Sequence, residues 1–156
     1  MPDMPNLENL WIIPGVKKQM MEHARQEAPL EACGLLAGKG SRVERLYRMK
    51  NADRSSEHYS MQPEEQFKVV KDIRNAGLHM LGIYHSHPHS PPRPSAEDIK
   101  MALTPGVAYV IVSLMRPEDP EVRGYLIDEG TVREIPVRIG EPDAPRQTNA
   151  GPVEKQ

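Results

Sequence analysis

Two histidines two residues apart, His85 and His87, are followed beyond a proline-rich stretch by Ser95 and Asp98. Two imidazoles and a carboxylate form the kind of three-ligand set that catalytic zinc uses, with the fourth position left for water. A structural zinc would want four protein ligands, and the single cysteine, Cys33, excludes sites built on four cysteines or on two cysteines and two histidines. A bare His-x-His pair is a weak signal. Taken alone, it is also compatible with exposed loop histidines, with Ser95 and Asp98 doing no more than capping a helix.

The elements around these residues decide how they can meet. Residues 79 to 85 have the apolar character of a short buried strand, and side chains two apart on a strand share a face, so His85 and His87 point the same way. Pro88 and the run His89 to Pro94 cannot continue a ladder, because proline supplies no backbone donor, and the chain must leave the sheet as an extended loop. Ser95 reads as a helix N-cap and Asp98, three residues on, as the acidic partner of a capping box. A carboxylate in that first turn can return to the end of the histidine strand. Glu97 is also near, but adjacent helical positions are rotated by about 100°, which aims Glu97 away from a metal that Asp98 binds.

At these residues the chain resembles the JAMM (MPN+) metallopeptidases. Their signature is an upstream glutamate, then His-Ser/Thr-His-Pro, seven residues from the second histidine to a serine and two more to an aspartate; here the seven are Pro88 to Pro94. The stretch Pro29 to Gly38 is similar to the family's glutamate-bearing strand, and Asn51 through Tyr59 to Glu64 is similar to the segment that leads into its second helix. The resemblance covers residues 10 to 137. It implies one Zn2+ per chain held by His85, His87 and Asp98, with Glu31 as general base and Ser95 helping to hold the oxyanion. Nothing in the spacing alone selects Glu31 from fifteen glutamates; its strand must lie beside the His85 strand. The implied reaction is amide hydrolysis, in which Glu31 takes a proton from water and passes it to the departing amine.

The resemblance also implies a substrate class: peptide or isopeptide bonds at the C-terminal Gly-Gly tail of ubiquitin-like proteins, including sulfur carriers. An extended tail could pair with a sheet edge near residues 51 to 62, where Asn51, Ser56 and Tyr59 are candidate substrate contacts. The rival readings are a cell-wall or phage-tail type peptidase, a non-catalytic MPN scaffold that binds protein partners, and a zinc-storage protein. The retained ligand and base positions argue against the scaffold. The presence of a general base argues against storage, and the lack of an export signal or partner peptidase domain argues against the cell-wall type.

The remainder of the chain fits one domain. At 156 residues it is long enough for a single core. With one Phe and one Trp, that core must rest on Leu, Ile, Val, Met and Ala. The aromatic fraction of 4% disfavours single-stranded nucleic acid, which needs stacking platforms, and a net charge of -2 with no basic stripe disfavours a duplex. No run approaches the length of a membrane span and no signal peptide is visible. One unpaired cysteine fits a reducing, cytoplasmic interior. Cys33 shares a strand face with Glu31 and reads as a small buried hydrophobe.

Periodicity predicts a helix over 15–27 with Val16, Met20, Met21 and Ala24 inward, strands over 33–38 and 42–49 joined by a hairpin turn, and a polar connection over 50–62. A second helix over 63–75 should set its buried side with Phe67, Val70 and Ile73-Arg74, and strands should follow at 107–114, 123–127 and 131–137. The order implies an α/β domain with a mixed, curved sheet flanked by helices, the cytidine-deaminase-like architecture of JAMM proteins. The domain is expected over 8–139, with a flexible N-terminus over 1–7 and a disordered tail over 140–156. The sequence leaves the oligomeric state open.

Overall fold

The computed structural model describes residues 7–142; the expectations for 1–6 and 143–156 lie outside the described residues. Eight strands form one sheet in the order β7-β6-β5-β4-β2-β3-β1-β8. The strands are β1 (Leu10–Ile12), β2 (Cys33–Lys39), β3 (Arg42–Met49), β4 (His79–His87), β5 (Ala108–Ser113), β6 (Glu121–Asp128), β7 (Thr131–Ile135) and β8 (Val137–Ile139), and the helices are α1 (Pro14–Glu27), α2 (Pro63–Asn75) and α3 (Ala96–Lys100).

The hairpins form where the turn chemistry permits. Lys39 pairs with Arg42 across Gly40-Ser41, with Gly40 at φ 62°. Asp128 pairs with Thr131 across Glu129 and Gly130, both at positive φ, which gives the twist that matches two antiparallel strands. Pro136 has no N–H to extend the β7 ladder, so the expected 131–137 strand breaks there. Its last residue joins β8, which pairs in parallel with β1 on the far side of the sheet. The two edge strands are thus consecutive in the chain, and the mixed sheet curls until it is nearly closed. At the seam a Cβ on Gly124 of β6 would stand 2.7 Å from Val137 Cγ2 of β8, so a larger residue there would have to displace Val137.

The sheet's two faces carry separate cores. Leu36, Tyr84, Val110 and Val112 pack with Val16, Met20 and Ala24 of α1; Cys33, Leu35, Ile83 and Ile111 pack with Ile73 of α2 and Ile99 of α3. These sets alternate along β2, β4 and β5, as the strand period demands. On α1 the inward residues are Val16, Met20, His23 and Ala24, with Met21 partly buried. On α2 the predictions for Phe67 and Arg74 fail: Phe67 is 73% exposed and Arg74 is also exposed, while Val69, Val70 and Ile73 face the core. Positions 69, 70 and 73 share one face at helical spacing, and Phe67 lies about 120° round from Ile73 at about 100° per residue. At the ends, Leu7 is buried, the Gly140 N–H donates to the Ile12 carbonyl, and Glu141 bonds Arg42. Ordered packing therefore reaches slightly beyond residues 8–139.

Candidate metal centre

Along β4 the side chains alternate, so Ile83, His85 and His87 face α3 while Tyr84 faces α1. His85 Nε2 and His87 Nε2 converge to 3.2 Å. Asp98 Oδ2 lies 3.1 Å from the first and 3.0 Å from the second. His87 is oriented by its other nitrogen, Nδ1, which is 2.8 Å from the Pro91 carbonyl, as metal-binding histidines commonly are. The proline loop that supplies this carbonyl is itself pinned, because the Ser113 and Tyr125 hydroxyls donate to the Ser90 and Pro92 carbonyls.

Asp98 reaches the histidines because Ser95 starts α3 with a reciprocal capping box: the Asp98 N–H donates to Ser95 Oγ at 3.0 Å, and the Ser95 N–H donates to Asp98 Oδ2 at 2.9 Å. Burial alone would raise the acid's pKa, but the bonds from His85 and His87 outweigh it and hold the carboxyl well below the usual carboxylate range. Burial also lowers both imidazoles. It prevails at His85, whereas at His87 the bonds to Asp98 and the Pro91 carbonyl reverse it.

Glu31 arrives by strand pairing. Cys33 pairs with His85 in the β2–β4 ladder. One step beyond the ladder the Ser86 N–H donates to the Ala32 carbonyl at 2.9 Å, and the Ala32 N–H donates to Ser86 Oγ at 2.8 Å. The hydroxyl between the two histidines therefore fixes the residue next to Glu31, a role that the sequence reading did not assign although Ser86 sits inside the motif. On its other side Glu31 is held through its own backbone: its N–H donates to the Ser55 carbonyl at 2.8 Å and its carbonyl accepts from Asn51 Nδ2 at 3.1 Å. The side chain is 2% exposed, and Oε1 has no hydrogen-bond partner. Burial raises its pKa to about 8, with His87 opposing and Asp98 and Glu57 adding to the shift.

Two three-residue sets can be drawn here. Ligand atoms of Glu31, His85 and His87 lie within 4.8 Å of one another, while the His85, His87 and Asp98 atoms lie within 3.2 Å. The tighter set contains the acid held ionised, as a ligand must be; Glu31 stands one step back with a free oxygen. Protons alone serve the tight cluster poorly. If both imidazoles donate to Asp98, two N–H groups face each other across 3.2 Å, and if either becomes an acceptor it loses the carboxylate. A divalent cation accepts electron pairs from all three, so the donor set fits a metal.

The centre opens into a cleft of about 680 Å3 lined by Glu31, Ser56, His58, His87, Ser95 and Glu97. His89 is exposed on its rim. The three candidate substrate contacts of the 51–62 segment part company. Ser56 lines the cleft. Asn51 is 5% exposed and its side chain is fully used, its Nδ2 donating to the Glu31 and His58 carbonyls and its Oδ1 accepting from the Asp53 and Ser60 N–H groups. Tyr59 lays its ring on His85. Cys33 is fully buried, and burial pushes its thiol up to about 12, which makes it inert packing rather than a reactive group.

Known proteins resemble this chain in sequence and in fold. Residues 14–127 match Prok-JAB, the prokaryotic homologs of the JAB domain. The CysO-cysteine peptidase of Mycobacterium tuberculosis is 44% identical over 124 residues, 78% of this chain and 85% of that protein. A probable TtuB-protein conjugate cleaving protease of Thermus thermophilus is 37% identical over 122 residues, 78% of each. Among solved structures, DSY2949 of Desulfitobacterium hafniense superposes with a TM-score of 0.78 at 41% identity, covering 90% of this chain and 99% of that one. AF2198, a JAB1/MPN domain protein of Archaeoglobus fulgidus, shares the fold with a TM-score of 0.59 at 23% identity over 85% of this chain and all of that one. The chain belongs to the prokaryotic JAB (JAMM/MPN) family.

Proposed function

We propose that the chain is a zinc metallopeptidase of the JAMM type that hydrolyses peptide or isopeptide bonds at the C-terminal Gly-Gly tail of ubiquitin-like proteins, sulfur carriers among them. The observation that carries the reading is the convergence of His85, His87 and Asp98 at 3.0 to 3.2 Å beside the unpartnered Oε1 of Glu31, at the floor of an open cleft. Relatives named for cleaving a CysO-cysteine bond and TtuB-protein conjugates support the substrate class.

His85, His87 and Asp98 would hold one Zn2+ per chain; bound there, the ion supplies Lewis acidity and brings the pKa of a water toward neutrality. Glu31 accepts the proton from the attacking water and passes it to the departing amine. Its burial suits the first half of that task, since a carboxyl raised to about 8 holds a proton more tightly than an exposed one. Ser95 Oγ accepts a bond at the helix cap, leaving its own hydrogen to donate to the developing oxyanion in the cleft. Ser56 lines the cleft, which supports its reading as a contact for the substrate backbone. A cytoplasmic location fits the lone buried thiol, and among the described residues no helix is long and apolar enough to cross a membrane.

The test is incubation of the zinc-loaded protein with ubiquitin-like carriers bearing C-terminal extensions, beside a Glu31→Gln control, with products read by mass spectrometry. Cleavage immediately after Gly-Gly, absent in the control, supports the proposal. No cleavage of any such substrate by the zinc-loaded protein contradicts the substrate class.

A further inference from the structure

The two histidines are held in different ways, and the difference points to work for Tyr59. His87 fixes its ring through Nδ1 and the Pro91 carbonyl. His85 has no such bond: its Nδ1 is buried and has no hydrogen-bond partner. When Nε2 is the ligand atom, the neutral imidazole carries its hydrogen on Nδ1, and a buried donor left unmade costs free energy instead of orienting the ring. Some other contact must therefore stop His85 from turning about its ring bonds.

That contact is Tyr59. Its ring stacks on His85 with centroids 4.6 Å apart and an interplanar angle of 26°. A near-parallel stack places the imidazole N–H in a plane beside the tyrosine ring rather than pointing into it, so the contact is packing and not a substitute hydrogen bond. Tyr59 is itself supported from behind by the buried cluster that includes Cys33, Ile83 and Ile111. From the side it is held by Asn51, whose side chain bonds the backbone of both neighbours, the His58 carbonyl and the Ser60 N–H. The same Asn51 amide holds the Glu31 carbonyl. One loop thus braces the base through Asn51 and a ligand through Tyr59.

We propose that Tyr59 is a positioning residue for His85, its stacked ring taking the place of the hydrogen bond that His85 lacks. The inference rests on the reading of His85 as a metal ligand, and its test reads the metal directly. Zinc affinity is measured by chelator competition on the wild type, Tyr59→Phe and Tyr59→Leu, with the cobalt-loaded proteins compared by visible absorption. Tyr59→Phe keeps the ring and should bind zinc within about twofold of wild type, with the same cobalt spectrum. Tyr59→Leu should bind about 10- to 100-fold more weakly, the usual range when support behind a ligand is lost, and alter the cobalt bands. If Tyr59→Leu does not fold in the absence of metal, Tyr59→Met, which fills similar volume without a ring, takes its place. Wild-type zinc affinity and spectrum in the ringless variant, with a raised KM, would show that Tyr59 contacts substrate and overturn the proposal. Failure of the wild type to bind zinc at all would instead overturn the metallopeptidase reading.

Discussion

The two faces of β4 treat buried polar groups in opposite ways. On the α1 side, His23 Nδ1 and the Tyr84 hydroxyl are bonded to each other, ring edge against ring, inside an apolar cluster. On the α3 side, one residue further along the strand, His85 meets His87 and Asp98. Among the described residues the two buried side-chain atoms without a partner are His85 Nδ1 and Glu31 Oε1, and both belong to this second side. Buried polar groups are normally satisfied, so an exception asks for an explanation. For Glu31 Oε1 the contrast supplies one, a carboxylate oxygen kept free beside the proposed ligand set; at His85 Nδ1 the stacked Tyr59 ring stands where a partner would be.

Substitutions on the two faces should therefore fail differently. The largest effect is expected for Glu31→Gln, which should lower kcat by roughly 10²- to 10⁴-fold, the contribution of a positioned acid–base group, while zinc stoichiometry and thermal stability stay close to wild type; steady-state kinetics with metal analysis checks both. Ser95→Ala should follow, with a loss on the order of 100-fold in kcat from one missing oxyanion donor and about 1 kcal/mol of stability from the missing cap, again with zinc retained. On the opposite face Gly34→Ala should do the reverse. A Cβ there would lie 2.5 Å from both Tyr84 Cε1 and the Tyr47 carbonyl oxygen, so overpacking of about 1–3 kcal/mol should lower Tm before it changes zinc content.

The subtlest contrast is in pH. Burial, reinforced by the Arg48 charge, pushes His23 down to about 4. The folded state thus binds fewer protons than the unfolded chain between the ordinary histidine pKa near 6.5 and about 4, so this group's contribution is present above that window and is lost as pH falls through it. Denaturant titrations should show the wild type losing up to about 3 kcal/mol more than His23→Gln on acidification across the window. Equal losses in the two proteins would mean that His23 is not held neutral by the fold.

The sequence made the two faces unequally legible. The spacing of His85, His87 and Asp98 encodes their meeting directly, because a strand period and a helix cap are local rules. Glu31 is different. Its place depends on the Cys33–His85 pairing between strands far apart in the chain, and no local pattern prefers it over other glutamates; only the resemblance singled it out. The work of Ser86, Asn51 and Tyr59 was hidden for the same reason, since each acts on a residue brought near by the fold. β1 and β8 are three residues each; β1 exists through parallel pairing with β3 and β8, and β8 through pairing with β1, so neither carries a periodic signal of its own. Phe67 fits a spacing by threes with Val70 and Ile73, but the arc of α2 that packs on the sheet is the one holding Val69, Val70 and Ile73.

Both faces of β4 carry core packing, but in the proposed account metal binding is confined to the α3 face, and zinc stoichiometry tests that most directly. Purified wild type, His87→Ala and His23→Gln would be loaded with zinc, freed of excess and measured by inductively coupled plasma mass spectrometry, with circular dichroism to verify folding. The account predicts one zinc per chain in the wild type and in His23→Gln, and none retained by His87→Ala. A full zinc complement in His87→Ala, or its loss from a folded His23→Gln, would contradict it.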